Sequence, residues 1–170
     1  QSGALCLSIL DAARSRGIGF SKFISIGNKA DVNELDLLRY LHNDPETEVI
    51  MIYLEELREG RAFIEAAKTI TSGSRPTPVL AIKSGRTTAG ARAAASHTGA
   101  LAGTEAIYDA IFKQAGIIRA DSIDKLFDYA AAFTYKKYQS ALGKLVRKVP
   151  QGNRVAIVTN AGGPGILATD

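Results

Sequence analysis

The sequence has 170 residues, of which 46% are hydrophobic and 22% are charged, proportions that exclude a disordered or fibrous chain. The net charge is only +4, and Lys and Arg are mixed with Asp and Glu without interleaved aromatic residues, which disfavours nucleic acid as a partner. The single cysteine, Cys6, excludes an intrachain disulfide and favours a cytoplasmic location, and no apolar run approaches the roughly 18 residues that span a bilayer, so no membrane partner is expected.

Apolar periodicity and turn residues predict helices and strands that alternate along the chain. In chain order we predict a helix over 4–16, a short strand over 23–26, a helix over 34–42, a strand over 49–54, a helix over 61–70, a strand over 79–83, a helix over 104–115, a short strand over 116–119 and a helix over 123–133. The strand over 49–54 is almost continuously apolar, as is typical of a strand buried on both faces.

This alternation predicts an α/β fold with a parallel sheet and helices on both of its faces. We expect a flavodoxin-like, doubly wound domain over residues 1–140, with its first strand missing upstream. Polar and basic residues over 135–151 predict a helix end or a linker, and we place the linker at 141–152. A second strand–turn–helix unit then opens a further, similar domain over 153–170.

Ligands of open α/β sheets collect at the carboxyl ends of the strands. The loop over 84–103 is predicted to lie there, and the sequence carries no carboxylate between residues 80 and 101. The loop and the residue before it carry three positive charges, from Lys83, Arg86 and Arg92, which favour an anion such as phosphate.

His97 stands in this loop among small residues, where its backbone is adaptable and its imidazole accessible to a reactant. An imidazole acts as a nucleophile or base near neutral pH, although the residues alone also allow an ordinary surface histidine. The other histidine, His42, falls at a predicted helix C-terminus, where a cation is favourable, and we predict a structural role for it.

Glu55 and Glu56 follow the predicted strand over 49–54 directly. A carboxylate there can accept a hydrogen bond from one imidazole nitrogen and leave the other nitrogen free to attack phosphorus. An acidic pair after a strand is also commonly a solvated turn, so both interpretations remain open.

Two Gly-rich helix starts are predicted, at residues 2–4 and 160–165. Backbone N–H groups and the helix dipole make such a terminus suitable for binding phosphate. A tight strand–helix turn also needs glycine, which is the simpler explanation for either one alone.

The segment Ala-Ala-Ala-Ser-His-Thr-Gly-Ala-Leu-Ala-Gly at 93–103, with Lys-Ser-Gly-Arg at 83–86, resembles the phosphohistidine segment of ADP-forming acetate–CoA ligases. These enzymes share a superfamily with succinyl-CoA synthetase. Residues 1–5, 20–31, 53–55 and 160–165 also resemble that family, so the resemblance covers nearly the whole chain.

The resemblance implies a reaction that interconverts acyl-CoA, phosphate and ADP with carboxylic acid, CoA and ATP. It implies that His97 carries the phosphoryl group and that Glu55 orients His97. The family pattern has a small residue beside this glutamate, and Glu56 departs from it. This departure leaves open whether Glu55 or Glu56 contacts His97. By the same resemblance, phosphate lies between two helix starts formed by Ser2, Gly3, Ala4, Gly162 and Gly163.

The family also carries a CoA-binding domain and an ATP-grasp domain, on the same chain or on a separate subunit, and neither is visible here. We therefore expect these residues alone to be inactive, with no permanently bound cofactor and no metal ligands of their own. CoA, ATP or ADP, phosphate and Mg²⁺ would be handled mostly by those other domains, in an oligomer.

Two other functions remain open at this stage. The first is a ligand-sensing regulatory domain, as in ligase-like domains fused to protein lysine acetyltransferases; an intact His97 loop argues against it because a sensor needs no nucleophile. The second is a mononucleotide-binding or response-regulator domain, which is disfavoured because no acidic cluster follows a first strand.

Overall fold

A computed structural model of the chain describes residues 3–27, 29–85, 105–134, 138–139, 145–146 and 156. The chain divides into two compact units, residues 1–135 and residues 136–170. The helices and strands of the first unit are, in order, α1 Gly3–Ser15, α2 Glu34–Asn43, β1 Ile50–Leu54, α3 Gly60–Ser72, β2 Val79–Lys83, α4 Glu105–Gln114, β3 Ile118–Arg119 and α5 Ile123–Thr134.

The three strands form a parallel sheet in the order β1-β2-β3. Ile50 of β1 lies opposite Val79 of β2, and this register continues to Leu54 opposite Lys83. The central strand β2 is buried along its whole length, whereas β1 is buried only at its two ends. A parallel sheet with helices confirms the predicted α/β fold, but the 49–54 strand is fully buried only at Ile50 and Leu54, which lie on the same face. Met51 and Tyr53, on the opposite face, are only partly buried, so the strand is not fully buried on both faces.

Side chains of β2 alternate between two hydrophobic cores, as the period of two in a strand requires. Val79 and Ala81 belong to the core formed with α2, α3 and α4. Leu80 and Ile82 belong to the core formed with α5 on the opposite face of the sheet. The sheet is thus covered by helices on both faces, as the alternating sequence pattern predicted.

The end of α1 lies beside α5. Arg16, which follows α1, forms ion pairs with Asp124 and Asp128, and its guanidinium lies 5.7 Å from the ring centroid of Phe127. All of these partners lie on α5, which places this end of α1 on the same side of the sheet as the second core.

The strand predicted over 23–26 is wrong. These residues are irregular, and no described strand pairs with them. Phe23 and Ile24 remain 39% and 43% exposed, and Phe23 makes an edge-to-face contact with Phe20 instead. A short apolar run predicts a strand only where a neighbouring strand is available to pair with it.

The second unit contains two short antiparallel strands, β4 Tyr138–Gln139 and β5 Leu145–Val146. They lie in the region predicted as a helix end or linker. The proposed boundaries at 141–152 and 153–170 remain predictions, since most of those residues lie outside the described part of the chain.

Candidate functional site

The carboxyl ends of β1 and β2 lie side by side and define the candidate site. Leu54 and Lys83 end the two strands as register partners. The Ser84 N–H donates a hydrogen bond of 3.0 Å to the Leu54 carbonyl, and the Ser84 hydroxyl donates to the same oxygen over 3.3 Å. Glu55 therefore leaves the sheet directly beside the point where the chain enters the segment 86–104, which carries His97.

Gly85, the last residue described before this segment, has a φ of 74° in the left-handed region that favours glycine. The segment 86–104 lies outside the described residues, and the chain is described again from Glu105, at the start of α4. Both flanks of the His97 segment are therefore fixed by the first unit, one by β2 and one by α4.

The two adjacent carboxylates have different surroundings. Glu56 Oε1 accepts a hydrogen bond from Arg58 Nε over 3.0 Å. Glu55 is half-buried, and its negative charge acts on Lys83. The charge of Glu55 favours the Lys83 ammonium, although burial, Glu105 and Arg119 affect the pKa of Lys83 more, whereas the Glu56 carboxylate pairs with Arg58.

Lys83, whose charge the sequence adds to those of Arg86 and Arg92, is buried at the end of β2. Its side chain is only 3% exposed, Nζ donates a hydrogen bond to the Ser84 carbonyl, and Nζ lies 4.7 Å from the ring centroid of Tyr108. Burial lowers the pKa of the Lys83 ammonium, and the nearby Glu105 carboxylate partly opposes that shift. The aliphatic stem completes the buried strand while the ammonium lies on an aromatic face.

The start of α4 is fixed to β3 by a cluster of charges. Arg119 donates hydrogen bonds to Glu105 and Asp109, both on α4. Burial alone would lower the pKa of Arg119, but these carboxylates outweigh it and the net shift is upward. The cluster therefore holds the first turn of α4, where the His97 segment rejoins the described fold.

Two residues that sequence reasoning did not single out lie against the Glu55 turn. Lys29 Nζ donates a hydrogen bond of 2.8 Å to the Glu56 carbonyl, and the Tyr108 hydroxyl accepts one of 3.1 Å from the Leu57 N–H. Lys29 lies in the 20–31 segment that carried the family resemblance, which was its only signal. In the sequence, Tyr108 occupies an apolar position of an amphipathic helix, and nothing in the pattern indicates a further role.

Of the predicted site residues, the structure describes Glu55 and the backbone of Gly3 and Ala4. Gly3 and Ala4 begin helix α1, as the proposed phosphate-binding helix start requires. The remaining predicted site residues, namely Ser2, His97, Gly162 and Gly163, and the loop cations Arg86 and Arg92, lie outside the described residues.

His42 has a structural environment. Its Nδ1 lies 2.9 Å from the Thr77 hydroxyl, and its backbone carbonyl accepts a hydrogen bond of 2.6 Å from Arg75. Both contacts join the end of α2 to the segment that leads into β2.

Within the described part of the chain, no group of three or more acidic, histidine or cysteine side chains is arranged to hold a metal ion. No helix in the same residues is long and apolar enough to cross a membrane.

Comparison with known proteins finds that the chain is similar over its whole length to ADP-forming CoA ligases. The ADP-forming 4-hydroxybutyrate–CoA ligase of Nitrosopumilus maritimus is 46% identical over the whole chain, which spans 23% of that protein. The alpha subunit of ADP-forming acetate–CoA ligase II from Pyrococcus furiosus is 48% identical, and the chain spans 34% of it. The chain therefore spans at most about a third of the length of these relatives.

A solved structure of the dinucleotide-forming acetyl-coenzyme A synthetase 1 of Ca. Korarchaeum cryptofilum, in complex with phosphate and ADP, superimposes with a TM-score of 0.84. It is 42% identical, and the match covers 99% of this chain and 34% of that one. Residues 1–133 also match the family described as the succinyl-CoA ligase like flavodoxin domain. With its parallel sheet and its helices on both faces, the chain belongs to that family.

Proposed function

We propose that these residues are the phosphohistidine-bearing part of an NDP-forming acyl-CoA synthetase of the acetate–CoA ligase type. One observation carries this assignment: the Glu55 turn lies beside β2, from which the His97 segment leaves the sheet. A carboxylate at that position is suited to orient an imidazole contributed by the adjoining segment.

The relatives support the same reaction class. The matched proteins from Nitrosopumilus maritimus and Pyrococcus furiosus are both ADP-forming CoA ligases. The matched synthetase structure from Ca. Korarchaeum cryptofilum contains phosphate and ADP, which are two reactants of the proposed reaction. Nearly half of the residues are shared with these proteins over the whole chain, so the resemblance extends well beyond the fold.

In the proposed mechanism, phosphate attacks the thioester of acyl-CoA, and CoA leaves as an acyl phosphate forms. A nitrogen of His97 then attacks phosphorus, so that a P–N bond forms while the bond from phosphorus to the acyl oxygen breaks and the carboxylate leaves. A terminal phosphate oxygen of ADP finally attacks the same phosphorus, and the P–N bond breaks to give ATP and free His97. Glu55 accepts the hydrogen bond of the other imidazole N–H and stabilises the cationic phosphohistidine.

The helix starts supply the charge stabilisation that phosphoryl transfer requires. The N–H groups at the start of α1, from Ser2, Gly3 and Ala4, are proposed to bind the phosphoryl oxygens on one side. Gly162 and Gly163 are proposed to bind them on the other side. Positioning and charge are the main contributions that a protein makes to this chemistry.

Because the chain spans 23% and 34% of the relatives described above, the complete reaction is proposed for an assembly rather than for these residues alone. That assembly includes an ATP-grasp domain or subunit for the magnesium nucleotide and a CoA-binding domain, and we propose that it is oligomeric and cytoplasmic. ATP or ADP, CoA, phosphate and the acyl group act as substrates in it.

The test is acid-labile, base-stable phosphate on the complete enzyme after incubation with labelled ATP and Mg²⁺, or with acyl-CoA and labelled phosphate. We expect label on the wild-type enzyme and none on His97→Ala. His42→Ala is the matched control and is expected to keep the label, since its ring bonds to Thr77 away from the Glu55 turn.

Equal labelling of His97→Ala and wild type would reject the proposal. The absence of label from the folded wild-type enzyme under both conditions would also reject it, and would favour the ligand-sensing domain instead.

A further inference from the structure

The turn after β1 is held by two side chains that are distant in sequence. Lys29 Nζ donates a hydrogen bond of 2.8 Å to the Glu56 carbonyl. Tyr108, on α4, accepts a hydrogen bond of 3.1 Å from the Leu57 N–H through its hydroxyl. Both contacts are made to one peptide group, the one that joins Glu56 to Leu57, whose carbonyl and N–H are each bonded by a side chain from another part of the fold.

The conformation of Lys29 is unusual for its residue type. Its φ of 54° makes it the one residue other than glycine with a positive φ in the described part of the chain. Its side chain is only 6% exposed and lies 3.1 Å from Glu34 Oε2, itself on a side chain that is 9% exposed. Strained backbone of this kind persists where the surrounding structure over-determines it, and it clusters at functional sites.

Tyr108 connects the turn to the two flanks of the His97 segment. Its ring is 4% exposed and lies under the Lys83 ammonium, 4.7 Å away, at the end of β2. It belongs to α4, the helix that follows the His97 segment. Burial raises the pKa of the Tyr108 phenol, and its oxygen accepts the hydrogen bond from the Leu57 N–H.

We infer that Lys29 and Tyr108 are positioning residues for Glu55, an inference that rests on the proposed function. Neither one touches the reacting atoms. Together they fix both polar atoms of the Glu56–Leu57 peptide group, so that the Glu55 carboxylate is held at one position relative to the end of β2. Through Tyr108, the same contact fixes this position relative to α4. A carboxylate that orients an imidazole has to be held within a fraction of an ångström for its effect.

The first test is Tyr108→Phe in the complete enzyme, because it removes only the hydroxyl and keeps the ring under Lys83. We expect the rate of phosphohistidine formation to fall about 10-fold, the size expected for one lost hydrogen bond at a positioned group, with KM values unchanged. Tyr129→Phe is the matched control and is expected to keep the wild-type rate, since Tyr129 packs on the other face of the sheet.

A double-mutant cycle with Glu55→Gln separates positioning from a general structural effect. If Tyr108 acts through Glu55, Tyr108→Phe causes no further loss, within about 2-fold, once Glu55 has been replaced. An unrelated structural effect would instead multiply the two losses.

Lys29 is tested with the double variant Lys29→Met/Glu34→Gln, because Lys29→Met alone leaves the Glu34 carboxylate buried without its cation and is expected to unfold. We expect the loss of rate to reach about 100-fold in this variant, and to vanish again in the Glu55→Gln background. Lys22→Met, which removes a partly buried ion pair with Asp44, is the control expected to remain active.

The outcomes distinguish this inference from the function on which it depends. Wild-type rates in Tyr108→Phe and in Lys29→Met/Glu34→Gln, with label lost in His97→Ala, would overturn the positioning roles alone. Multiplicative losses in the Glu55→Gln background would also overturn them. Label that persists in His97→Ala, or is absent from wild type, would overturn the proposed function and the inference together.

Discussion

At the scale of single residues, Lys83 combines a buried position with a charge. Its side chain is 3% exposed, and burial holds the pKa of its ammonium below the usual range. The folded state therefore releases this proton at a lower pH than the unfolded chain does. In the pH interval between the lowered pKa and the ordinary value of about 10.4, the unfolded state binds more protons, so this group makes the free energy of unfolding rise with pH.

We expect Lys83→Met to be more stable relative to wild type at neutral pH than at pH 10. Wild type recovers stability as the buried amine deprotonates, and the methionine variant has no such proton to lose. The measurement is urea unfolding of both proteins between pH 7 and pH 10. Burial raises the pKa of the Tyr108 phenol, which moves its titration in the folded state further from this range. Its contribution is present in both proteins, so the difference between them reports on Lys83. A difference that stays constant across the range would contradict the prediction.

At the scale of elements, α2 begins with a complete capping box. The Asn33 side chain accepts hydrogen bonds from the N–H groups of Leu35 and Asp36, over 2.8 Å and 3.3 Å. In return, the Asp36 carboxylate accepts a hydrogen bond from the Asn33 N–H over 3.1 Å. These bonds satisfy N–H groups that have no partner within the helix. They also fix where α2 starts, which places Glu34 next to Lys29.

Replacing Asn33 by alanine is expected to lower the free energy of unfolding by about 1 kcal/mol, the usual value of an N-cap side chain. Asn43→Ala is the matched control at the other end of α2, where the side chain donates a single exposed hydrogen bond to the Arg39 carbonyl. Its cost is expected to be about 0.5 kcal/mol or less. Urea unfolding at pH 7 measures both, and equal costs would show that the capping box contributes nothing beyond an ordinary surface hydrogen bond.

At the scale of the whole molecule, both hydrophobic cores of the sheet are built from the first compact unit. The earliest buried member is Leu35 and the last packed member is Phe133. The boundary between the units follows at residues 135 and 136. Most of the stability of the sheet is therefore expected to come from residues 1–135, since burial of apolar surface is the dominant favourable contribution to folding.

A chain ended after residue 135 is expected to keep a cooperative thermal transition. Its melting temperature is expected to lie within about 3 °C of that of the 170-residue chain, which corresponds to a change of less than about 1 kcal/mol in the free energy of unfolding. A chain ended after residue 122 lacks α5, which exposes Leu80 and Ile82 of the second core, and is expected not to fold. Circular dichroism during heating measures both. Loss of the cooperative transition in the 135-residue chain would show that the second unit is needed for the stability of the first.

The sequence by itself determined the fold class and most of the elements of the first unit. The 79–83 strand was predicted with its observed bounds, because its first four residues are all apolar and such a run is typical of a strand buried on both faces. The helices were predicted within one or two residues at their described ends, since helical periodicity and capping residues are local signals. The association of His97 with Glu55 came from the family resemblance and from the carboxyl ends of the strands, and it remains a proposal.

The tertiary structure decided the features that depend on partners far away in the chain. The 23–26 segment is not a strand because no described strand pairs with it. Lys83 is buried because Tyr108 provides an aromatic face for its ammonium. Lys29 and Tyr108 converge on the Glu55 turn from opposite directions along the sequence. Local residue patterns carry no information about such contacts, because a side chain's partner is set by how the helices and strands pack.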